Sequence, residues 1–211
     1  MHKDIGNKHI VSPMVFVVDD DEAMRHSIVC LLESVNLPCK MFGDAGAFLE
    51  FCEPRQQGCL LLDIRMPGMS GMELLERLHA DGVSMPIIII TGHGDVPLAV
   101  RALKSGAFDF VQKPFHAQDL LDKVYAALKQ LQEFRQENMK QDGLRSRFDA
   151  LTGREREIME LVVSGDTSKV IAIKLRISPK TVDIHRSNIM KKLNFQTIAE
   201  LVQNRLALRD E

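Results

Sequence analysis

Short apolar runs alternate with amphipathic segments from residue 14 to about residue 130. The runs MVFVVDD, CKMF, GCLLLD, MPIIIIT and AFDFVQ have the length and apolar content of buried strands. The segments between them carry helix signals, such as a candidate N-cap at Asp44 and a glycine, Gly106, just past a helix end. Five strands that alternate with five helices predict an α/β sandwich built around a parallel sheet.

The last helix of this half, which begins near His116, is predicted to be long. Its apolar spacing of three, four and three residues places these side chains on one stripe: Leu121, Val124, Leu128 and Leu131. Packing on the sheet explains the stripe as far as Leu128, and beyond it a coiled contact with a second copy or with the tail is equally compatible. The sequence then becomes polar, and we expect the helix to fray into a linker near Gly143.

From Leu151 onward the pattern is entirely helical, with four short helices in about 60 residues. Thr152 with Glu155 three residues later predicts a capping box, and Gly165 predicts the end of that helix. The third helix has Ser178 as N-cap and Pro179 at its first position. The segments 151–165, 167–176, 177–194 and 195–210 are thus predicted to form a small all-α domain.

Charge is distributed unevenly between these two parts. Residues 1–144 carry 14 Lys and Arg against 20 Asp and Glu, whereas residues 145–211 carry 13 against 9, which gives net charges of −6 and +4. A basic second part is compatible with a nucleic-acid partner. The 13-residue leader is not a signal peptide, no apolar stretch could cross a membrane, and the four dispersed cysteines are typical of reduced thiols in a cytoplasmic protein.

Five polar residues follow the apolar runs of the first part, where the carboxyl ends of parallel strands meet: Asp19, Asp20, Asp63, Thr91 and Lys113. We expect all five to converge on one pocket. Three clustered carboxylates require a counter-charge, so the pattern predicts a hard cation, Mg²⁺ or Mn²⁺, and a site that handles phosphate.

In this hypothesis Asp63 attacks phosphorus and holds the phosphoryl group as an acyl phosphate. Asp20 and Asp63 bind the metal directly, Asp19 partly through water, and the backbone carbonyl of Arg65 reaches the same ion. Lys113 neutralises the phosphoryl oxygens and Thr91 donates a hydrogen bond to one of them. Each residue alone has a structural explanation, as a helix cap, turn or loop residue, and Phe110 alone is best explained by packing at the edge of the core.

These motifs resemble the receiver domain of bacterial two-component response regulators, which is a five-stranded, doubly wound, flavodoxin-like fold. The matching strings are VVDDD, LLDIRMPGMSG, ITGHGD and FVQKPF. The resemblance implies that Asp63 is the phosphoacceptor, that Asp19 and Asp20 are the acidic pair, and that Phe110 is the aromatic switch residue beside Thr91 and Lys113. It also implies a cis peptide bond between Lys113 and Pro114.

The basic end contains ISPKTVDIHRSNIMKKL, in which Val182, Ile189 and Leu193 mark a core-facing side. The pattern alone fits a helix-turn-helix and a solvated basic helix equally well. The string resembles the LuxR-type DNA-binding domain, as do LTGREREIMELVVSG and KVIAIKL, and the whole chain resembles FixJ-type regulators. It departs from the family pattern at Ser168 and Val170, both in the first helix of the pair.

By this resemblance, residues 179–192 form the recognition helix. It implies base-edge contacts from Asp183, Ile184 and Ser187. Phosphate contacts are implied for Lys169, Lys180, Thr181, His185, Arg186 and Lys191.

The sequence therefore predicts a phosphorylation-dependent transcription factor, more readily an activator than a repressor, that is not an enzyme. Its expected partners are a sensor histidine kinase, promoter DNA, RNA polymerase and a second copy bound through residues 95–131, of which the apolar run 117–131 is a candidate face. The expected division is a leader (1–13), a receiver domain (14–130), a helical linker (131–147) and a DNA-binding domain (148–211). A phosphohydrolase and a phosphate-independent adaptor remain the alternatives, although no substrate cap is visible for the first and all five pocket groups argue against the second.

Overall fold

The computed structural model describes residues 14–53, 56–92 and 96–208, except for the side chain of Val96. The expected leader, residues 93–95 of the ITGHGD motif and the last three residues lie outside the described part. The chain forms two compact units, one that ends at Phe134 and one that begins at Arg135.

The first unit is the predicted α/β sandwich. Its described residues form five strands, which are all parallel and lie in the order β2-β1-β3-β4-β5. The strands are β1 Met14–Val18, β2 Cys39–Phe42, β3 Gly58–Asp63, β4 Ile87–Thr91 and β5 Asp109–Gln112. The helices are α1 Glu22–Ser34, α2 Ala45–Phe51, α3 Gly71–Ala80, α4 Val96–Lys104 and α5 Ala117–Asp149, of which α5 continues into the second unit.

Alternate strand residues face two separate apolar layers. Phe16, Leu60 and Ile89 pack with α2, α3 and α4 on one face of the sheet. Their neighbours in sequence, such as Leu61 and Ile88, pack with α1 and α5 on the other. Helices on both faces cover the central strands β1, β3 and β4, which is why these three are almost uniformly apolar, whereas Lys40 and Met41 of β2 are exposed. The doubly wound fold predicted from the sequence is confirmed.

Helix α5 confirms one part of the prediction and contradicts another. Its stripe packs on the sheet as expected, since Leu121, Val124 and Leu128 are buried in the layer with α1. These three side chains are therefore not available to a second copy, whereas Tyr125 on the same helix is 45% exposed. The predicted fraying near Gly143 is wrong, because the helix continues to Asp149. Phe148 is buried in the core of the second unit. This packing offsets the cost of about 1 kcal/mol of having glycine rather than alanine inside a helix.

The second unit contains the last turns of α5 and four further helices among the described residues: α6 Gly153–Val163, α7 Ser168–Leu175, α8 Pro179–Leu193 and α9 Ile198–Ala207. The capping box of Thr152 and Glu155 and the Ser178 cap are present as predicted. The last helix begins later than expected, because Thr197 is its N-cap and Phe195 instead packs at 6.2 Å from the ring of Phe148. Nowhere in 14–53, 56–92 or 96–208 is there a helix long and apolar enough to cross a membrane.

Candidate functional site

Three of the five strand-end residues form a connected ionic cluster. Asp19 follows β1, Asp63 ends β3, and Lys113 follows β5, so the parallel order of the sheet brings them to one edge. The Lys113 Nζ donates to Asp19 Oδ2 at 2.8 Å and to Asp63 Oδ1 at 2.6 Å. Two carboxylates thus share one ammonium at the carboxyl end of the sheet.

Backbone groups hold the remaining oxygens of both carboxylates. The amide of Arg65 donates to Asp63 Oδ2 at 2.7 Å, and the amide of Asp21 donates to Asp19 Oδ1 at 2.9 Å. Asp19 is 0% and Asp63 5% exposed. Both carboxylates are therefore fixed in orientation by four hydrogen bonds rather than being free to rotate in solvent.

The protonation equilibria of the cluster reflect burial and pairing together. Burial raises the pKa of Asp63 above its ordinary value, although the hydrogen bond and charge of Lys113 oppose that change. Burial alone would lower the pKa of Lys113, but its hydrogen bonds to Asp19 and Asp63 outweigh this and raise it. The ammonium is therefore firmly charged at neutral pH, while Asp63 is held less easily in its ionised form.

The other expected pocket residues lie at the same edge but outside this cluster. Thr91 is fully buried at the end of β4, and its hydroxyl donates to the carbonyl of Gly92 at 3.3 Å. The side chain of Asp20 is exposed. Phe110 lies opposite Ile89 in the sheet and is half-buried against the layer with α2, α3 and α4. The Lys113–Pro114 bond is cis, as the resemblance implied.

The second unit presents a partly exposed helix with a basic end. On α8 the side chains of Val182, Ile189 and Leu193 are buried, as the spacing predicted. Ile184 is 54% exposed. The other predicted DNA-contacting residues are exposed (Lys169, Lys180, Asp183, Ser187, Lys191) or half-buried (Thr181, His185, Arg186). The amino end of α8 is capped by Ser178, whose hydroxyl accepts from the amide of Thr181 at 3.0 Å.

Comparison with known protein families shows a matching family for each of the two units. Residues 15–125 match the response regulator receiver domain, and residues 149–204 match the bacterial regulatory proteins of the luxR family. The chain belongs to the response regulators with a LuxR-type DNA-binding domain. Such a response regulator is a transcription factor and not an enzyme, and it regulates transcription in a phosphorylation-dependent manner.

Related proteins cover nearly the whole response regulator. The transcriptional regulatory protein FixJ of Azorhizobium caulinodans is 45% identical over 190 residues, which are 90% of each chain. The response regulator protein TmoT of Ectopseudomonas mendocina is 38% identical over 208 residues, 98% of this chain and 94% of that protein. Among solved structures, the response regulator StyR is similar with a TM-score of 0.81 and 47% identity, covering 93% of this chain and 99% of that one.

The receiver domain family uses a divalent metal for phosphorylation, and the carboxylates of this response regulator fit such an ion only in part. Among the described residues, no group of three or more Asp, Glu, His or Cys side chains is close enough to hold a metal. Lys113 already supplies the counter-charge that the sequence pattern assigned to a cation. Asp19 and Asp63 nevertheless present the oxygen ligands that Mg²⁺ prefers, and Mg²⁺ commonly takes only one or two carboxylates and completes its shell with water.

Two residues that support this pocket were not identified from the sequence. Arg25, on the first turn of α1, donates from Nη1 to the carbonyl of Asp19 at 2.6 Å and so holds the acidic loop against the helix. Gly71 begins α3, and a Cβ there would lie 2.2 Å from the carbonyl oxygen of Asp63. The MPGMSG string marked a turn but not this close approach, and no local signal marked Arg25.

Proposed function

We propose that Asp63 is the phosphoacceptor of this response regulator and that a partner sensor histidine kinase is the donor. The cluster of Lys113 with Asp19 and Asp63 carries the proposal, because it orients one carboxylate at the carboxyl end of the sheet beside a fixed positive charge. An Asp63 oxygen would form a bond to phosphorus as the bond between phosphorus and the donor histidine breaks, so that the electron pair leaves with the imidazole.

The remaining pocket residues would bind and orient the transferred group. The ammonium of Lys113 would neutralise the charge of the phosphoryl oxygens. The Thr91 hydroxyl would turn from the Gly92 carbonyl to donate to one of these oxygens. Asp19, Asp20, Asp63 and the carbonyl of Arg65 would hold Mg²⁺, which supplies positive charge to the phosphoryl oxygens. Movement of Thr91 would be passed to Phe110, which lies one strand away and is half-buried.

Dimerisation through residues 95–131 is proposed as the consequence of this switch, although residue 95 itself lies outside the described part. Among the described side chains of this range, the exposed apolar ones are on α4 and α5: Val100 at 43%, Leu103 at 38% and Tyr125 at 45% exposure. These residues, rather than the buried stripe of α5, would form the contact. A dimer pairs two DNA-binding domains and so matches two half-sites on a duplex.

The DNA-binding domain would place α8 in the major groove, with Asp183, Ile184 and Ser187 at the bases. Lys169, Lys180, Thr181, His185, Arg186 and Lys191 would contact phosphates. We propose the domain limits 1–13, 14–130, 131–147 and 148–211 for leader, receiver, helical linker and DNA-binding domain. By analogy with the family, the regulator would activate transcription through RNA polymerase, and it would act in the cytoplasm, where bacterial promoters are transcribed.

Mass spectrometry tests the proposal most directly. The full-length chain is incubated with Mg²⁺ and acetyl phosphate, and its intact mass is followed beside Asp63→Asn and a matched control, Asp81→Asn, whose carboxylate is exposed at the end of α3. One stable phosphoryl group on the wild type and the control but not on Asp63→Asn is expected. Multiple turnover of acetyl phosphate would instead indicate a phosphohydrolase, and no label would indicate an adaptor.

DNA footprinting with and without phosphorylation tests the second half of the proposal. Protection of two adjacent half-sites is expected to require a lower protein concentration after phosphorylation. Replacing Lys180 with alanine should weaken binding to all sequences alike and lower the salt dependence by about one released ion. Equal promoter affinity for the phosphorylated and unphosphorylated chains would contradict the proposed coupling.

A further inference from the structure

The hydroxyl of Ser168 connects the two helices of the helix-turn-helix at the surface proposed to face DNA. Ser168 is the first residue of α7, and its Oγ donates to Asp183 Oδ1 at 2.7 Å. The same oxygen accepts from Arg186 Nη1 at 2.8 Å. One serine thus joins two oppositely charged side chains of α8, which lie three residues apart on neighbouring turns of that helix.

The bonding capacity of serine fits this arrangement. A hydroxyl has one hydrogen to donate, which the carboxylate receives, and a lone pair that accepts from the guanidinium. Hydrogen bonds to charged groups are shorter and stronger than those between neutral groups. Both long side chains therefore have a preferred orientation before any DNA arrives.

We infer that Ser168 is a positioning residue for base selection. This inference rests on the proposed role of α8 as the recognition helix. Its bond to Oδ1 aims the Asp183 carboxylate, so that Oδ2 can accept from an amino group on a base edge. Its bond to Arg186 holds the guanidinium beside that carboxylate, where the other nitrogens can reach a phosphate. Preorganisation of this kind removes the cost of ordering these side chains on binding.

The chemistry of the major groove identifies the base as cytosine. A carboxylate only accepts hydrogen bonds, and cytosine N4 is a donor without an acceptor on the same base edge. Adenine N6 is also a donor, but it lies beside the N7 acceptor, which repels a carboxylate. Guanine and thymine present acceptors only, so an oriented Asp183 rejects them.

Selection of duplexes from a randomised pool by the full-length, phosphorylated chain tests this inference. The wild type is expected to select cytosine at one position of each half-site. Ser168→Ala should reduce the preference for cytosine at that position by about three- to tenfold. Its affinity for non-specific DNA and the salt dependence of that affinity should stay within about twofold of the wild type, because no phosphate contact is removed. Ser168→Thr, which keeps the hydroxyl, and Ser146→Ala, an exposed serine on α5, should keep the preference.

Variants of Asp183 provide the second measurement. Asp183→Asn should change the selected base from cytosine to adenine, because an amide pairs with N6 and N7 together. Ser168→Ala combined with Asp183→Ala should lose no more selectivity than Asp183→Ala alone, since serine acts through the carboxylate. Unchanged selection in Ser168→Ala, or an equal loss of affinity for every sequence, would overturn the inference while leaving the proposed DNA binding intact. A wild type that selects no sequence at all would overturn both.

Discussion

Replacing Lys113 with methionine would remove the ammonium that two buried carboxylates share. The side chain of Lys113 is 22% exposed, and those of Asp19 and Asp63 are 0% and 8% exposed. Methionine keeps the length of the aliphatic chain but has no charge, so the carboxylates would face each other without a partner. Since removing one member of a buried ion pair leaves an uncompensated charge, the receiver unit should be destabilised.

The size of the loss can be bounded. Loss of a partner from a fully buried pair costs about 3–5 kcal/mol, and the partial exposure of Lys113 lowers this to about 2–3 kcal/mol. Protonation of Asp63 would remove one of the two unpaired buried charges and so limit the loss of stability. Holding a carboxyl with an ordinary pKa of 3.8 neutral at pH 7 costs about 4.4 kcal/mol, but only about 1.6 kcal/mol at pH 5. The folded-state pKa of Asp63 would be raised further in the variant, so the loss should shrink as pH falls from 7 to 5.

Urea unfolding monitored by tyrosine fluorescence would measure this loss. The chain has one tyrosine and no tryptophan, and Tyr125 lies in the first unit, so the signal reports on the receiver domain. Lys129→Met is a matched control, because Lys129 is 76% exposed and its ion pair with Glu133 contributes at most about 0.5 kcal/mol. Millimolar Mg²⁺ should stabilise Lys113→Met more than the wild type. Equal losses in both variants, or a loss at pH 5 as large as at pH 7, would refute the reasoning.

Three further predictions concern the rest of the chain. Hydrogen bonds with Lys192 and Thr152 lower the pKa of buried Glu155 to about 2, so the stability that its carboxylate contributes is present above about pH 4.5 and is lost as pH falls toward 2. Glu155→Gln should therefore lower the free energy of unfolding by on the order of 1–2 kcal/mol at pH 7, and its difference from the wild type should shrink below pH 4.5. Hydrogen exchange in α6 and α8 would measure both effects. Gly143→Ala should stabilise α5 by about 0.5–1 kcal/mol and slow exchange there, because a Cβ meets nothing within 4 Å, whereas a helix frayed at that point would show no change. Gly71→Ala should slow phosphorylation by acetyl phosphate, since its Cβ would push α3 from the Asp63 carbonyl, while Gly153→Ala, with open space around it, should leave the rate unchanged.

The sequence predicted the sheet and the position of the acidic cluster because both depend on simple regularities. Apolar runs of strand length are buried in a parallel sheet, and residues that follow such strands meet at one edge. Asp19, Asp63 and Lys113 are therefore brought together by topology alone. The helix caps at Thr152 and Ser178 were also predictable, because a cap depends on residues within one turn.

Contacts between distant parts of the chain were not predictable in the same way. The helix was expected to fray near Gly143 because its apolar stripe ends and the sequence becomes polar, but Phe148 packs in a core formed by residues 151–201. The Ser168 hydroxyl was noted only as a departure from a family pattern, and its bonds to Asp183 and Arg186 depend on how α7 crosses α8. Side-chain networks of this kind are determined by tertiary structure, to which a pattern of polar and apolar residues is insensitive.

The hard cation that the sequence pattern predicted depends on the charge state of the pocket, and the fold clarifies when that metal is needed. The sequence pattern contained three carboxylates that needed a counter-charge. In the fold, Lys113 lies between those of Asp19 and Asp63, and Asp20 is exposed. A phosphoryl group on Asp63 would bring a charge of about −2 at pH 7 to the same place. One ammonium cannot neutralise that group and also remain bonded to Asp19, so a second positive charge is required once the phosphoryl group arrives. On the proposed function, Mg²⁺ should therefore increase the rate of phosphorylation strongly but change the stability of the unphosphorylated wild type only slightly.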